Sequence, residues 1–248
     1  MARLDAELVQ RGICETRNRA QASIAEGNVT VNGAVCMKAS QKVTDTDILV
    51  LTEPLPFVGR GGYKLRYALA EFGILLSGRQ CLDIGASTGG FTDCMLQNGA
   101  RSVVAVDVGR DQLAESLRSD PRVIVREETD LRQLPPDTDG LPAQFAACDV
   151  SFISLKQIIP YLPPLLTDDA EAVLLVKPQF EAGRAALNKN GIVRDERIRR
   201  QVLRDIRDFA AASGFIPCGE CESPIKGGSG NTEYLLRLKK AGLNEGKQ

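Results

Sequence analysis

The sequence contains no histidine. That absence removes serine–histidine and cysteine–histidine catalysis, histidine metal centres, and imidazole as a general base. Proton chemistry is left to Lys, Asp, Glu, Ser, Tyr or Cys. Excess charge of either sign is also missing. The net charge is −1, so a nucleic-acid partner would have to meet a local basic surface. No apolar run is long enough to span a bilayer, and the opening "MARLDAELVQRG" carries charges where a signal peptide needs an apolar segment. A soluble, cytoplasmic protein is expected. A membrane-lytic role finds no long, aromatic-rich amphipathic helix to support it. The seven cysteines are odd in number and mostly scattered singly through apolar segments, which suits reduced thiols better than a disulfide frame. Cys218 and Cys221 form a lone CxxC with no second pair at zinc-finger spacing, so no metal is expected.

The 248 residues present read as a small unit followed by a larger one. Residues 1–52 begin with a helix in "RLDAELVQRG", where Leu4, Leu8 and Val9 fall on one face and Gly12 marks the stop. A second helix, "TRNRAQASIAEG", has Thr16 as its cap and Gly27 as its stop. "NVTVNGAVC" then reads as a hairpin around Asn32-Gly33, and "TDTDILVL" as a closing strand. "TEPLPFVGRGG" (53–62 at its core) is rich in Pro and Gly and reads as a linker. From residue 63 to 248, strand-length apolar runs alternate with helical stretches. "RQCLDIGAS", "SVVAVDVG", "RVIVREETD", "FAACDVSFI" and "EAVLLVKPQ" are the runs; "GFTDCMLQNGA", "DQLAESLRSD" and "RIRRQVLRDIRDFAAASG" are helical. This pattern predicts an α/β fold: a doubly wound, mostly parallel, Rossmann-like sheet. A terminal antiparallel pair, "CGECESPI" and "NTEYLLRLKK", brings it to seven strands.

"CLDIGASTGGFTD" is a strand entering a glycine-rich turn and then a helix. Glycines let the backbone approach a ligand closely, and a helix start offers free N–H groups. The next strand ends on Asp107, where an acid can accept both hydroxyls of a ribose. A triphosphate site would want GxxxxGK[ST], and no lysine follows these glycines. A dinucleotide would want GxGxxG, and Gly85, Gly89 and Gly90 do not fit it. S-adenosylmethionine remains: it has a ribose and no phosphates, and Asp83 would face its cationic methionine part. The expected cofactor set is Asp83, Gly85, Ala86, Ser87, Gly89, Gly90 and Phe91, with Asp107 and Asp130 at later strand ends.

"LDIGASTGGFTD", "AVDVG", "DVSFISL", "LVKPQFEAGR" and "GNTEYLL" together resemble the hemolysin A / TlyA family, whose catalytic domain is similar to FtsJ-type ribose 2′-O-methyltransferases. The first 52 residues resemble the small RNA-binding domain of ribosomal protein S-four. The resemblance runs over nearly the whole chain. It implies methylation of ribosomal RNA, at cytidine ribose, by a Lys–Asp–Lys–Glu tetrad. Matched by motif, these are Lys64 of "RGGYKL", Asp149 of "CDVSF", Lys177 of "LVKPQF" and Glu233 of "GNTEYL". Members usually carry a histidine four residues after "VRD"; Arg199 stands there in this chain.

The chemistry is sound on its own terms. A ribose hydroxyl must lose its proton as the methyl arrives, and without histidine a lysine has to take it. A lysine serves as base where burial and a neighbouring cation favour its neutral form. Lys177 is the expected base, with Lys64 steering the hydroxyl and the two acids orienting the lysines. Each residue alone has a bland explanation: Asp149 as a turn cap, Lys177 snorkelling to water, Glu233 as a paired edge acid. Together, Asp149, Lys177 and Glu233 fall at strand ends, on the face where doubly wound sheets bind ligands. For RNA, Arg11, Arg17, Arg19 and Arg60 are the expected contacts. Residues 1–53 hold six Lys/Arg against seven Asp/Glu, so affinity would rest on a patch rather than on overall charge. An RNA-binding assembly factor without turnover is the alternative of a different class.

Overall fold

The structure, a computed structural model, describes residues 1–53 and 55–242. It divides into two compact units between Arg60 and Gly61.

In the first unit, β1 (Ala2–Arg3) runs directly into α1 (Leu4–Gln10), and α2 (Arg17–Ala25) follows. Leu4 and Leu8, one turn apart, pack with Ala20 and Ile24 of α2 and with Val29, Val43 and Leu49. The Thr16 hydroxyl caps α2 by accepting the Arg19 amide at 3.3 Å. β2 (Val29–Val31) and β3 (Ala34–Val35) flank Asn32 and Gly33, both at positive φ (53° and 81°), as a two-residue hairpin turn requires. β4 (Lys42–Val43) pairs with β1, and β5 (Leu49–Leu51) pairs with β2. The β1–β4 ladder is two residues long, too short to leave a period in the sequence. Asp5 is fully buried in this unit and fully employed. It accepts from Arg3 at 2.9 and 3.0 Å, from Arg17 at 3.0 Å and from Gln21 at 2.7 Å.

The second unit opens on α3 (Gly61–Phe72), which takes in Gly61 and Gly62 from the stretch read as linker. The strands and helices then alternate: β6 (Gln80–Ile84), α4 (Gly90–Gln97), β7 (Ser102–Val106), α5 (Glu115–Arg118), β8 (Val123–Arg126), β9 (Ala143–Cys148) and β10 (Leu166–Val176). A short α6 (Pro178–Glu181), α7 (Glu196–Ala212), β11 (Phe215–Glu222) and β12 (Tyr234–Lys240) complete it. The seven strands lie in the order β11-β12-β10-β9-β6-β7-β8. β10, β9, β6, β7 and β8 run parallel; β12 is antiparallel to β10, and β11 to β12. β6, β7, β9 and β10 are almost wholly buried, as expected for parallel strands covered on both faces.

Two connections differ from expectation. "DQLAESLRSD" forms only the single turn α5. The Glu127 carboxylate accepts the amides of Asp111, Gln112 and Leu113 at 2.8 to 3.0 Å, and so holds the first half of that stretch off the helical path. Between β9 and β10 the chain makes three 3₁₀ turns, Leu155–Gln157, Ile159–Tyr161 and Pro163–Leu165, where Pro160, Pro163 and Pro164 disrupt regular helix. On α7, Val202, Leu203, Ile206 and Ala210 face inward, and most of its arginines lie in solvent.

Candidate active site

The strand order reverses at β6: β7 lies on one side of it and β9 on the other. Ligands bind beyond the carboxyl ends of the strands at such a point. A cleft of about 480 Å³ sits there, lined among others by Gly85, Ser87, Asp107, Asp130, Asp149, Ser151 and Phe152. A smaller one of about 190 Å³ adjoins it, sharing Gly85, Ser87, Asp149 and Ser151 and adding Gly61, Ala86, Gly90, Phe91 and Lys177.

The glycine-rich turn is shaped as much by the protein as by any ligand. Gly85 has φ 79°, and a Cβ there would come within 2.7 Å of the Asp149 carbonyl. Gly89, at φ 95°, begins α4 in the left-handed region. The Asp149 amide donates to the Ile84 carbonyl at 2.8 Å, tying the ends of β9 and β6 together. Asp107 is gripped on both oxygens: the Ser87 amide donates to one at 2.8 Å and the Gly109 amide to the other at 2.7 Å. Each carboxylate oxygen keeps a lone pair beyond these bonds. Asp130 accepts the Arg132 amide and pairs with its guanidinium at 2.5 Å.

Asp83 departs from the expected placement. It is 0% exposed and lines neither cleft. The Thr92 hydroxyl donates to its Oδ2 at 2.6 Å. Its Oδ1 has no hydrogen-bond partner among the described residues. Burial, reinforced by Asp149 and Asp107 nearby, pushes this carboxyl up to about 7.

The four residues matched by motif form two ion pairs. Lys64, on the first turn of α3, donates to Glu233 Oε2 at 2.6 Å, with both side chains buried. Glu233 stands immediately before β12, so this contact joins groups 169 residues apart. Lys177 lies within 2.5 Å of Asp149 and donates to Ser151 Oγ at 2.8 Å. Lys177 follows β10 directly, and Pro178 opens α6 where a missing N–H costs nothing.

Sequence reasoning missed several neighbours. Gln179 donates to the second oxygen of Glu233 at 3.3 Å. Gly227 stands so close to the Glu233 carboxylate that a side chain there would displace it. The Phe180 ring centroid lies 5.8 Å from the Lys177 ammonium, and exposed Phe152 packs against that ring at a 50° tilt, centroids 5.0 Å apart. Ser151, Gln179 and Phe180 all sit within two or three residues of a motif lysine or acid, and that proximity was the available signal. Arg199 donates to the carbonyls of Val193 at 3.2 Å and Arg194 at 2.6 Å, closing the turn ahead of α7.

The expected RNA contacts are unequal. Arg11 is committed to its own unit: it bonds Glu7 at 2.7 Å and the carbonyls of Asp47 and Thr44 at 2.7 and 2.8 Å. Arg17 is exposed beyond its bond to Asp5, Arg19 is half-buried near Glu15, and Arg60 is exposed.

A doubly wound sheet with an antiparallel final strand, and a cleft at its switch point, defines a Rossmann-like methyltransferase fold. An S-adenosylmethionine-dependent methyltransferase from Mesorhizobium loti shares that fold at 16% identity, with a TM-score of 0.54 over 73% of this chain and 100% of that one. The family described as FtsJ-like methyltransferase matches residues 57–240, and this chain belongs to it. The S4 domain family matches residues 2–49. YqxC of Bacillus subtilis is 49% identical over 95% of this chain and 85% of its own length. The 16S/23S rRNA (cytidine-2′-O)-methyltransferase TlyA of Mycobacterium tuberculosis is 44% identical over 96% of this chain and 90% of its own. Hemolysin A of Brachyspira hyodysenteriae is 41% identical over 95% and 99%. A solved structure from Streptococcus thermophilus that carries the hemolysin name superposes with a TM-score of 0.77 at 46% identity, over 96% of this chain and 88% of that one.

Proposed function

We propose that the chain is an S-adenosylmethionine-dependent methyltransferase acting on ribose 2′-hydroxyls of ribosomal RNA, with cytidine as the target. The arrangement that carries this reading is the pair of lysine–acid contacts, Lys64–Glu233 and Lys177–Asp149, the second of which lines the smaller cleft. The cofactor fits the residues present. Asp107 keeps acceptor capacity for two ribose hydroxyls, Gly85 and Ser87 line both clefts beside it, and Asp83 holds an orphaned oxygen behind the loop. S-adenosylmethionine supplies an electrophilic methyl on a sulfonium.

The chain's own residues do the rest. Lys177 accepts the proton of the attacking hydroxyl, held by Asp149 on one side and Ser151 on the other. Lys64, fixed by Glu233, stabilises the negative charge that develops on that oxygen. Because the displacement is in-line and needs no covalent intermediate, positioning supplies much of the acceleration. The N-terminal unit, residues 1–52, contributes RNA affinity through Arg17 and Arg19, joined by Arg60 from the segment that follows, while Arg11 braces the unit through Glu7, Thr44 and Asp47.

The test is transfer of labelled methyl to ribosomal subunits and to free ribosomal RNA, followed by mapping of the modified nucleotide. Lys177→Ala is expected to lower transfer about a thousandfold or more, in the range seen for loss of a general base or more, with cofactor affinity retained. Undiminished transfer by that variant would sink the assignment. Tight RNA binding with no transfer to any ribosomal substrate points instead to the assembly-factor alternative.

A further inference from the structure

Lys177 and its surroundings hold a group that the four-residue scheme does not contain. An ammonium has three hydrogens to place. One side of the Lys177 ammonium meets Asp149, and another donates to the Ser151 hydroxyl at 2.8 Å. The Phe180 ring lies 5.8 Å away. The Asp149 contact is an ion pair whose Oδ1 accepts no hydrogen bond among the described residues, so the bond to Ser151 is what sets the rotation of the ammonium about its stem. Asp149 alone leaves that rotation open.

The place of Ser151 gives this contact its meaning. Its side chain borders both the 480 Å³ cleft and the 190 Å³ cleft that Lys177 lines. It stands two residues beyond Asp149, on the chain leaving β9, so both anchors of Lys177 come from one strand end. That strand end is itself bonded to β6 through the Asp149 amide and Ile84 carbonyl at 2.8 Å. Ser151 is exposed to solvent, and most of the apolar core beneath is built without it. A polar side chain that borders both clefts, bonds a buried lysine and carries no packing is placed for orientation rather than for folding.

We infer that Ser151 is a positioning residue that aims the Lys177 ammonium into the space shared by the two clefts. The inference rests on the methyl-transfer reading above, and it goes beyond it by adding a fifth functional side chain. Removing the hydroxyl leaves Lys177 paired with Asp149 but free to turn away from the acceptor.

Steady-state methyl transfer with Ser151→Ala, Ser151→Thr and Ser151→Cys tests it. Ser151→Ala is expected to lower kcat about tenfold to a hundredfold, the range for losing one hydrogen bond to a charged group. KM and Kd for S-adenosylmethionine stay at wild-type values. Ser151→Thr keeps a hydroxyl and retains kcat within about threefold on the same scale. Ser151→Cys has a similar shape but a weak acceptor and falls with Ser151→Ala. Unchanged kcat in Ser151→Ala overturns the inference. So does a raised KM at unchanged kcat, which makes Ser151 a binding group. Equal losses in the Thr and Ala variants overturn it too, since shape alone then explains them.

A second measurement does not depend on turnover. In ¹⁵N-lysine spectra the Lys177 ammonium, identified by its loss in Lys177→Arg, is expected to exchange slowly with water in the wild type and faster in Ser151→Ala. Equal exchange in both denies the contact. If the wild type methylates no RNA while the exchange difference holds, the methyl-transfer reading fails and the Ser151–Lys177 contact stands.

Discussion

Asp5 and Asp83 are both fully buried aspartates, and they have opposite fates. Asp5, in the N-terminal unit, is surrounded by Arg3, Arg17 and Gln21. The Arg3 guanidinium above all holds its carboxyl far below the usual carboxylate range, and Asp5 stays ionised. Asp83, at the tip of β6, has one hydroxyl for company and one oxygen with no partner among the described residues. Burial raises it to about 7. The first carboxylate is spent on holding two helices and a strand together. The second keeps one unpartnered oxygen behind the glycine-rich turn. We propose that this incomplete satisfaction ties Asp83 to the working site, whereas the fully paired Asp5 is structural.

The sharpest way to break this comparison is to remove each acid. Asp5→Ala strands two guanidinium groups and a glutamine at once. It is expected to destabilise the N-terminal unit by about 2 kcal/mol, the scale of losing hydrogen bonds to charged groups whose guanidinium partners are partly exposed, with cofactor affinity unchanged in calorimetry. Asp83→Asn is expected to do the reverse, weakening cofactor binding by tenfold or so, about 1.4 kcal/mol, at little cost in stability. A stability loss in Asp83→Asn matching that of Asp5→Ala would end the distinction.

The pH dependence has a definite sign. The folded protein holds a proton on Asp83 up to about pH 7, whereas an unfolded aspartate releases it near pH 4. The folded state therefore binds more protons in that window. This group's contribution to stability is present below about pH 4, falls as pH rises to 7, and is level above it. Urea unfolding across that range is expected to show a shallower decline in Asp83→Asn. Asp5 acts oppositely: its contribution is present at neutral pH and is lost in acid. The smallest change is Thr92→Val, which removes the hydroxyl hydrogen bond to Asp83 and costs about 1 kcal/mol, while moving the upper end of the decline to higher pH.

Much of this was legible beforehand, for identifiable reasons. β6, β7, β9 and β10 are buried on both faces, so they appear as continuous apolar runs, and Asn32-Gly33 admits few structures other than a hairpin turn. Asp149, Lys177 and Glu233 were visible because each ends or adjoins an apolar strand, whereas Lys64, on α3, was read from the family resemblance alone. Their pairing was not: nothing in spacing says that Lys64 chooses Glu233 rather than Asp149. Nor could the burial of Asp83 be read from "CLDIG", since depth depends on Thr92 and on the loop folded over it. The commitment of Arg11 to carbonyls of Thr44 and Asp47 was equally hidden, because main-chain acceptors leave no mark in a sequence.

The contact between Lys64 and Glu233 also sets an order of events. β12 lies between β10 and β11, although it is made after both. While the chain is being synthesised, Lys64 emerges 169 residues ahead of its partner. The sheet cannot close until the late strand inserts beside β10. A translating ribosome thus carries a chain with every residue of the two clefts made and Lys64 still without Glu233. The final strand completes the sheet and this buried ion pair in a single step.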